Sequence, residues 1–106
     1  MMFEIFWTDE AKTTYMSLKG NSGQDKRYKA VKKAIKLLST NPRHPSLQTH
    51  QYHSLQGPNK EKVFEAYAEQ KTPVAYRIFW YYGPDQKGEK GKRIPVITIM
   101  AITPHP

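Results

Sequence analysis

The most constraining stretch is residues 74–82, VAYRIFWYY, taken with residues 94–103, IPVITIMAIT. Both runs are long and rich in β-branched and aromatic residues, and a polar segment full of Gly and Lys joins them. That pattern predicts two neighbouring antiparallel strands closed by a long hairpin loop over residues 83–93. Two charged positions stand out. Arg77 sits in the middle of the first apolar run, and His105 follows the end of the second. An arginine inside a strand must face water, a carboxylate or a phosphate, because its burial is otherwise unfavourable.

The segments upstream complete an α+β pattern. Residues 3–7, FEIFW, read as a short first strand. Thr8 is placed to cap a helix, with Asp9 and Glu10 in the first turn, where acids suit the helix dipole. Ala11, Tyr15 and Leu18 share one face of that helix, and Gly20 supplies its stop. Ser22 with Asp25 forms a capping-box pattern for a second helix over residues 24–40. Tyr28, Val31, Ile35 and Leu38 recur there at helical spacing. The other faces carry Lys26, Arg27, Lys29, Lys32, Lys33 and Lys36, either a solvated surface or a patch that tracks phosphates. Asn41-Pro42 ends the helix, and so short a connection predicts an antiparallel helical hairpin.

Beyond Pro45 the period changes to two. Residues 47–55 (LQTHQYHSL) and 62–69 (KVFEAYAE) read as strands around a Gln56-Gly57-Pro58-Asn59 turn. Alternation puts Phe64, Ala66 and Ala68 on one face of the second, and Val63, Glu65 and Tyr67 on the other. It likewise separates Tyr76, Ile78 and Trp80 from Ala75, Arg77, Phe79 and Tyr81. Pro95 belongs at the start or edge of the last strand, since it has no N–H for a ladder. The expected fold is one domain over residues 1–106: a helical hairpin on one face of a four- to five-stranded antiparallel sheet.

Charge narrows the function classes. Seventeen Lys and Arg against nine Asp and Glu give a net charge of +8. In a chain of 106 residues this favours polyanionic partners such as nucleic acid, the ribosome or an acidic protein. With no cysteine, disulfides and thiolate metal sites are excluded, which fits a cytoplasmic protein. His44, His50, His53 and His105 lack zinc-ligand spacing, so neither a metal nor another cofactor is expected. The N-terminal MMFEIFWTDE lacks a signal-peptide core, and no apolar run approaches the roughly 20 residues of a membrane helix.

Taken in order, HSLQG (53–57), KVFEAY (62–67), AYRIFW (75–80) and ITIMAITPHP (97–106), behind a strand and a helical hairpin, resemble the RelE/ParE toxin superfamily of bacterial toxin–antitoxin systems. The resemblance spans nearly the whole chain. It implies an antitoxin partner and, in the RelE-like branch, a toxin that cuts mRNA in the ribosomal A site. Arg77 matches the family arginine that contacts the scissile phosphate. His105 matches, to within one residue, the basic residue that serves as general acid or phosphate clamp. Where one subgroup carries a glutamate base, this chain has His53. Lys62 starts the strand on which another subgroup places lysines, but Phe64 and Ala66 occupy the alternate positions. The ParE branch shares the fold, lacks the nuclease set and poisons DNA gyrase.

The implied reaction is metal-free: the RNA's 2′-OH attacks the adjacent phosphate, leaving a cyclic phosphate and a 5′-OH. It needs a cation on the phosphate, a base and an acid. Arg77 suits the first role because its fork is bidentate. His105 is the candidate acid and His53 the candidate base, with His50 and Glu65 as alternatives, since His titrates near neutrality. Tyr81, on Arg77's face, is the candidate for base stacking. Lys29, Lys32, Lys33, Lys36 and Lys62 are candidate phosphate contacts. A cross-strand ion pair with Glu65 is the structural alternative for Arg77.

Overall fold

A computed structural model describes residues 2–71 and 74–104. The chain runs β1 (Glu4–Trp7), α1 (Asp9–Lys19), α2 (Asp25–Thr40), β2 (His50–Gln56), β3 (Lys62–Tyr67), β4 (Tyr76–Tyr82), β5 (Gln86–Lys87), β6 (Arg93–Ile94) and β7 (Val96–Pro104). Five strands form the main sheet in the order β1-β7-β4-β3-β2, and β5 with β6 forms a separate two-stranded ribbon.

The sheet is antiparallel except at one edge, where β1 lies parallel to β7 with Glu4 opposite Val96 and Trp7 opposite Ile99. The expectation of a wholly antiparallel sheet is corrected there. β1 feeds directly into the helical layer rather than into a hairpin, so no tight turn forces it to run against its neighbour. The helical hairpin then carries the chain across the sheet, and β2 begins at the opposite edge.

α1 starts as expected. Thr8 Oγ1 accepts from the Ala11 N–H at 3.1 Å and donates to the Met100 carbonyl at 2.7 Å, tying the helix start to β7. The capping box before α2 does not form. A 3₁₀ turn over Ser22–Gln24 precedes the helix, and the Asn21 side chain accepts from Gly23 N–H at 2.9 Å instead. Of the predicted stripe, Val31, Ile35 and Leu38 are buried against the sheet together with Ala34, and Tyr28 is half-buried at its edge. On the sheet side this core takes Ala66, Ile78, Trp80, Ile97, Ile99 and Ile102.

Leu47, expected as a strand residue, is buried in a 3₁₀ turn, Pro45–Leu47, and β2 begins only at His50. The turn is set locally: His44 Nδ1 accepts from Ser46 N–H at 3.2 Å. β3 stops at Tyr67, two residues short of the expected end, and β4 starts at Tyr76. The segment expected as a flexible loop holds the β5–β6 ribbon, and Pro95 separates that ribbon from β7.

Face alternation holds. Ile78 and Trp80 point under the helices, while Phe79 and Tyr81 join Val63 in a second cluster, bordered by Tyr52, Met100 and Ala101, on the face away from them.

Candidate functional site

Arg77 emerges on the face away from the helices, opposite Tyr67 of β3 and Thr103 of β7. Its guanidinium carbon lies 3.7 Å from the centroid of the Tyr67 ring, a cation–π stack. Nη1 donates to the Glu69 carbonyl at 2.7 Å. Nε stands 3.9 Å from Glu65 Oε2, inside ion-pair range but beyond hydrogen-bonding distance, and has no hydrogen-bond partner among the described residues. The side chain is only 11 % exposed.

Glu65 is fully buried, and its other oxygen lies 2.8 Å from His50 Nε2 on the edge strand. His50 is 48 % exposed, and its Nδ1 is 3.0 Å from the Gln48 carbonyl. A buried carboxylate thus links an enclosed arginine to a solvent-facing imidazole. Donor-bearing partners such as these make its burial tolerable.

Glu69 fixes the far side. Its Oε1 accepts from Arg27 Nε at 2.9 Å and from the Tyr76 N–H at 3.0 Å, while its carbonyl holds Arg77. Arg27 also stacks on Tyr76, 4.2 Å from its centroid. The start of β4, and Arg77 with it, is therefore anchored to α2. Alternation groups Glu65 with Tyr67 on one face of β3, and a cross-strand pair of Arg77 with Glu65 is the structural alternative expected from the sequence. Nothing in residue spacing marks the Glu69 carbonyl, because its role depends on where the strand ends.

The other candidates divide by place. His53 is exposed one residue past Tyr52, in the part of β2 where the register against β3 slips between Gln51 and Gln56. Tyr81 shares Arg77's face, but at 5 % exposure its ring is enclosed with Val63 and Phe79. Lys62 is exposed at the start of β3, opposite Gln56. His105 lies outside the described residues.

Lys29, Lys32, Lys33 and Lys36 are exposed on α2, in the helical layer on the other side of the sheet from Arg77. Lys29 pairs with Asp25 at 3.1 Å, and Lys32 Nζ sits 6.0 Å over the Tyr28 ring. Lys33 borders a groove of ≈ 250 Å³ between α2 and the end of β3, lined also by Leu37, Leu47, Tyr67, Ala68 and Gln70. Tyr67, the platform for Arg77, thus also lines this groove. Among the described residues no three His, Asp or Glu side chains converge as metal ligands, and no helix is long and apolar enough to cross a membrane.

No family model matches the sequence, and no curated protein matches it. Among solved structures, a YoeB/ParE toxin from Agrobacterium tumefaciens is similar over 98 % of this chain and 100 % of its own, with a TM-score of 0.66 at 10 % sequence identity. At that identity the likeness speaks for the backbone. The strand, helical hairpin and five-stranded, mostly antiparallel sheet that carry Arg77 form the RelE/ParE-like toxin fold.

Proposed function

We propose that this chain is the toxin of a type II toxin–antitoxin pair and cuts mRNA on the ribosome in the cytoplasm. The observation that carries the proposal is Arg77, stacked on Tyr67 on the face the helices leave uncovered, with Glu65 and His50 beside it. In-line attack by a 2′-OH needs a cation on the phosphate, a base and an acid; Arg77 is the candidate for the first, and the imidazole of His50 held on Glu65 is one candidate for the second. In that step the 2′-oxygen bonds to phosphorus and the P–O5′ bond breaks, giving a 2′,3′-cyclic phosphate and a 5′-OH. Arg77 neutralises the phosphorane. His53, or His50 held on Glu65, takes the 2′ proton, and His105 returns one to the leaving oxygen. The antitoxin, an acidic partner, covers basic surface until it is lost.

One observation favours a second reading. Arg77 is engaged by Tyr67, Glu65 and the Glu69 carbonyl and is almost closed to solvent. A purely structural arginine looks the same, and it suits a gyrase poison of the ParE kind, or a non-toxic partner-binding form, that needs no phosphate clamp.

Primer extension on a defined mRNA after brief induction separates the readings, with wild type beside Arg77→Lys. Lysine keeps the charge but not the fork. New ends inside codons that vanish in the variant are the expected result. Intact mRNA with growth still arrested, accompanied by double-strand DNA breaks, would overturn the nuclease reading in favour of gyrase.

A further inference from the structure

Arg27 differs from the lysines that share α2 with it. Lys29, Lys32, Lys33 and Lys36 are exposed, whereas the Arg27 side chain is 20 % exposed and that of its ion-pair partner, Glu69, 14 %. A pair this enclosed is not a screened surface contact, and removing one member leaves the other largely buried and unmatched. All three guanidinium nitrogens of Arg27 are engaged. Nε donates to Glu69 Oε1 at 2.9 Å, Nη1 to Gln24 Oε1 at 3.2 Å and Nη2 to the Val74 carbonyl at 3.3 Å, while Cζ lies over the Tyr76 ring. Only the planar fork of an arginine makes these contacts together.

These contacts converge where the β3–β4 ladder stops. Its last pair is Tyr67 with Arg77, and Glu69 lies beyond it, so regular strand pairing does not set the direction of the Glu69 carbonyl. Tyr76 and Arg27 set it instead. The Glu69 N–H donates to the Tyr76 carbonyl at 3.1 Å, and Glu69 Oε1 accepts from the Tyr76 N–H at 3.0 Å as well as from Arg27. The carbonyl so aimed takes Arg77 Nη1 at 2.7 Å. Stacking on Tyr67 fixes the plane of the Arg77 guanidinium but leaves it free to turn within that plane. Glu65, at 3.9 Å, is too far to stop the turning with a hydrogen bond. The short bond to the Glu69 carbonyl does stop it.

We propose that Arg27 is a positioning residue for Arg77: it does not touch the RNA, and through Glu69 it fixes the orientation in which the Arg77 guanidinium meets a phosphate. The inference rests on the reading of Arg77 as the phosphate clamp and adds to it a residue from the helical layer. A bidentate grip needs both donors aimed at two oxygens at once, and the aim contributes most when it is set before the substrate arrives. Arg27 is therefore set apart from the basic surface with which its place on α2 groups it. Its charge is spent inside the protein.

Two measurements on the whole chain test this: NMR of ¹⁵N-labelled arginine side chains, and multiple-turnover cleavage by ribosomes programmed with a defined mRNA. Wild type is compared with Arg27→Gln, with Arg27→Lys, and with Lys19→Gln, an equal change of charge at an exposed position of α1. In wild type the Nη protons of Arg77, assigned by their loss in Arg77→Lys, should be resolved by slow rotation. In Arg27→Gln they should average like those of the exposed Arg43, and in Lys19→Gln they should stay resolved. Cleavage by Arg27→Gln should lose about tenfold in kcat with KM within about twofold, as expected when a reacting group is misaimed rather than removed. Arg27→Lys keeps the pair with Glu69 but not the fork, so it should fall between; it carries both readouts if Arg27→Gln does not fold. Arg77 signals that stay resolved in the Arg27 variants would overturn the proposal, as would averaged signals in wild type. So would an unchanged kcat, and a raised KM alongside it would return Arg27 to the lysines of α2. If wild type cuts no mRNA, the nuclease reading fails, and the NMR comparison by itself decides whether Arg27 positions Arg77.

Discussion

Arg77 and Glu65 show how far a single residue's role depends on its enclosure. Removing the guanidinium strips a buried carboxylate of one partner and leaves the Tyr67 ring uncovered, although His50 still faces Glu65. Arg77→Ala should therefore destabilise the fold by about 2–4 kcal/mol, at or below the range for a broken buried pair. Arg77→Met/Glu65→Gln should recover at least half of that loss, because no unpaired buried charge is then left and the stem's packing volume is kept. Urea denaturation of the three proteins checks this, and a loss under about 1 kcal/mol for Arg77→Ala would show that the arginine is not part of the framework. Trp80 behaves differently. It is fully buried, and its Nε1–H has no hydrogen-bond partner among the described residues. Trp80→Phe deletes that orphan donor, worth about 1–3 kcal/mol, against a cavity term of similar size, so its net effect should stay within about 1.5 kcal/mol. Trp80→Ala should cost about 3–5 kcal/mol in the same denaturation experiment.

Within single elements, capping and aromatic contacts determine the predictions. Thr8 links α1 to β7 by one accepted and one donated bond, so Thr8→Ala should cost about 1–2 kcal/mol. Thr8→Ser keeps both bonds, and a serine variant as unstable as the alanine one would locate Thr8's contribution in its methyl group. Between α1 and α2, Tyr15 packs on Trp7 and Tyr28, with ring centroids at 4.9 and 5.3 Å. Burial, and then the neighbouring Tyr28 hydroxyl, push the Tyr15 phenol up to about 12. The unfolded chain thus releases this proton near pH 10 while the folded one retains it, and the stability it contributes is complete below pH 10 and lost as pH rises towards 12. Melting temperatures over pH 9–12 should fall more steeply for wild type than for Tyr15→Phe; parallel curves would place the effect in the lysines. The elements themselves were largely legible: Thr8, the Val31–Ile35–Leu38 stripe and the alternation around Arg77 encode local geometry. The parallel seat of β1, Leu47's place in a 3₁₀ turn and the hold of Glu69 on Arg77 were not. The first is fixed by β7, distant in sequence, the second by a local His44–Ser46 bond and the third by where β3 ends, none of which periodicity identifies.

At the scale of the molecule, the sequence shows abundant positive charge but not its distribution, and the fold separates it. Arg77 lies, nearly closed to solvent, on one face of the sheet, whereas Lys29, Lys32, Lys33 and Lys36 lie on the helical layer covering the other. The two groups therefore do not act on the same phosphate. If mRNA cleavage is the activity, the lysines serve association with the ribosome and Arg77 the chemical step. Changing all four lysines to Gln should raise KM about tenfold at 100 mM salt and flatten its salt dependence, while kcat stays within about twofold. Arg77→Lys should do the reverse, lowering kcat about a hundredfold with KM little changed, as expected for a contact made chiefly in the transition state. Multiple-turnover cleavage by ribosomes programmed with a defined mRNA, run across 50–200 mM KCl, measures both quantities. A lysine variant whose kcat collapses at unchanged KM would put α2 at the reacting phosphate, and the division of labour between the two faces would be wrong.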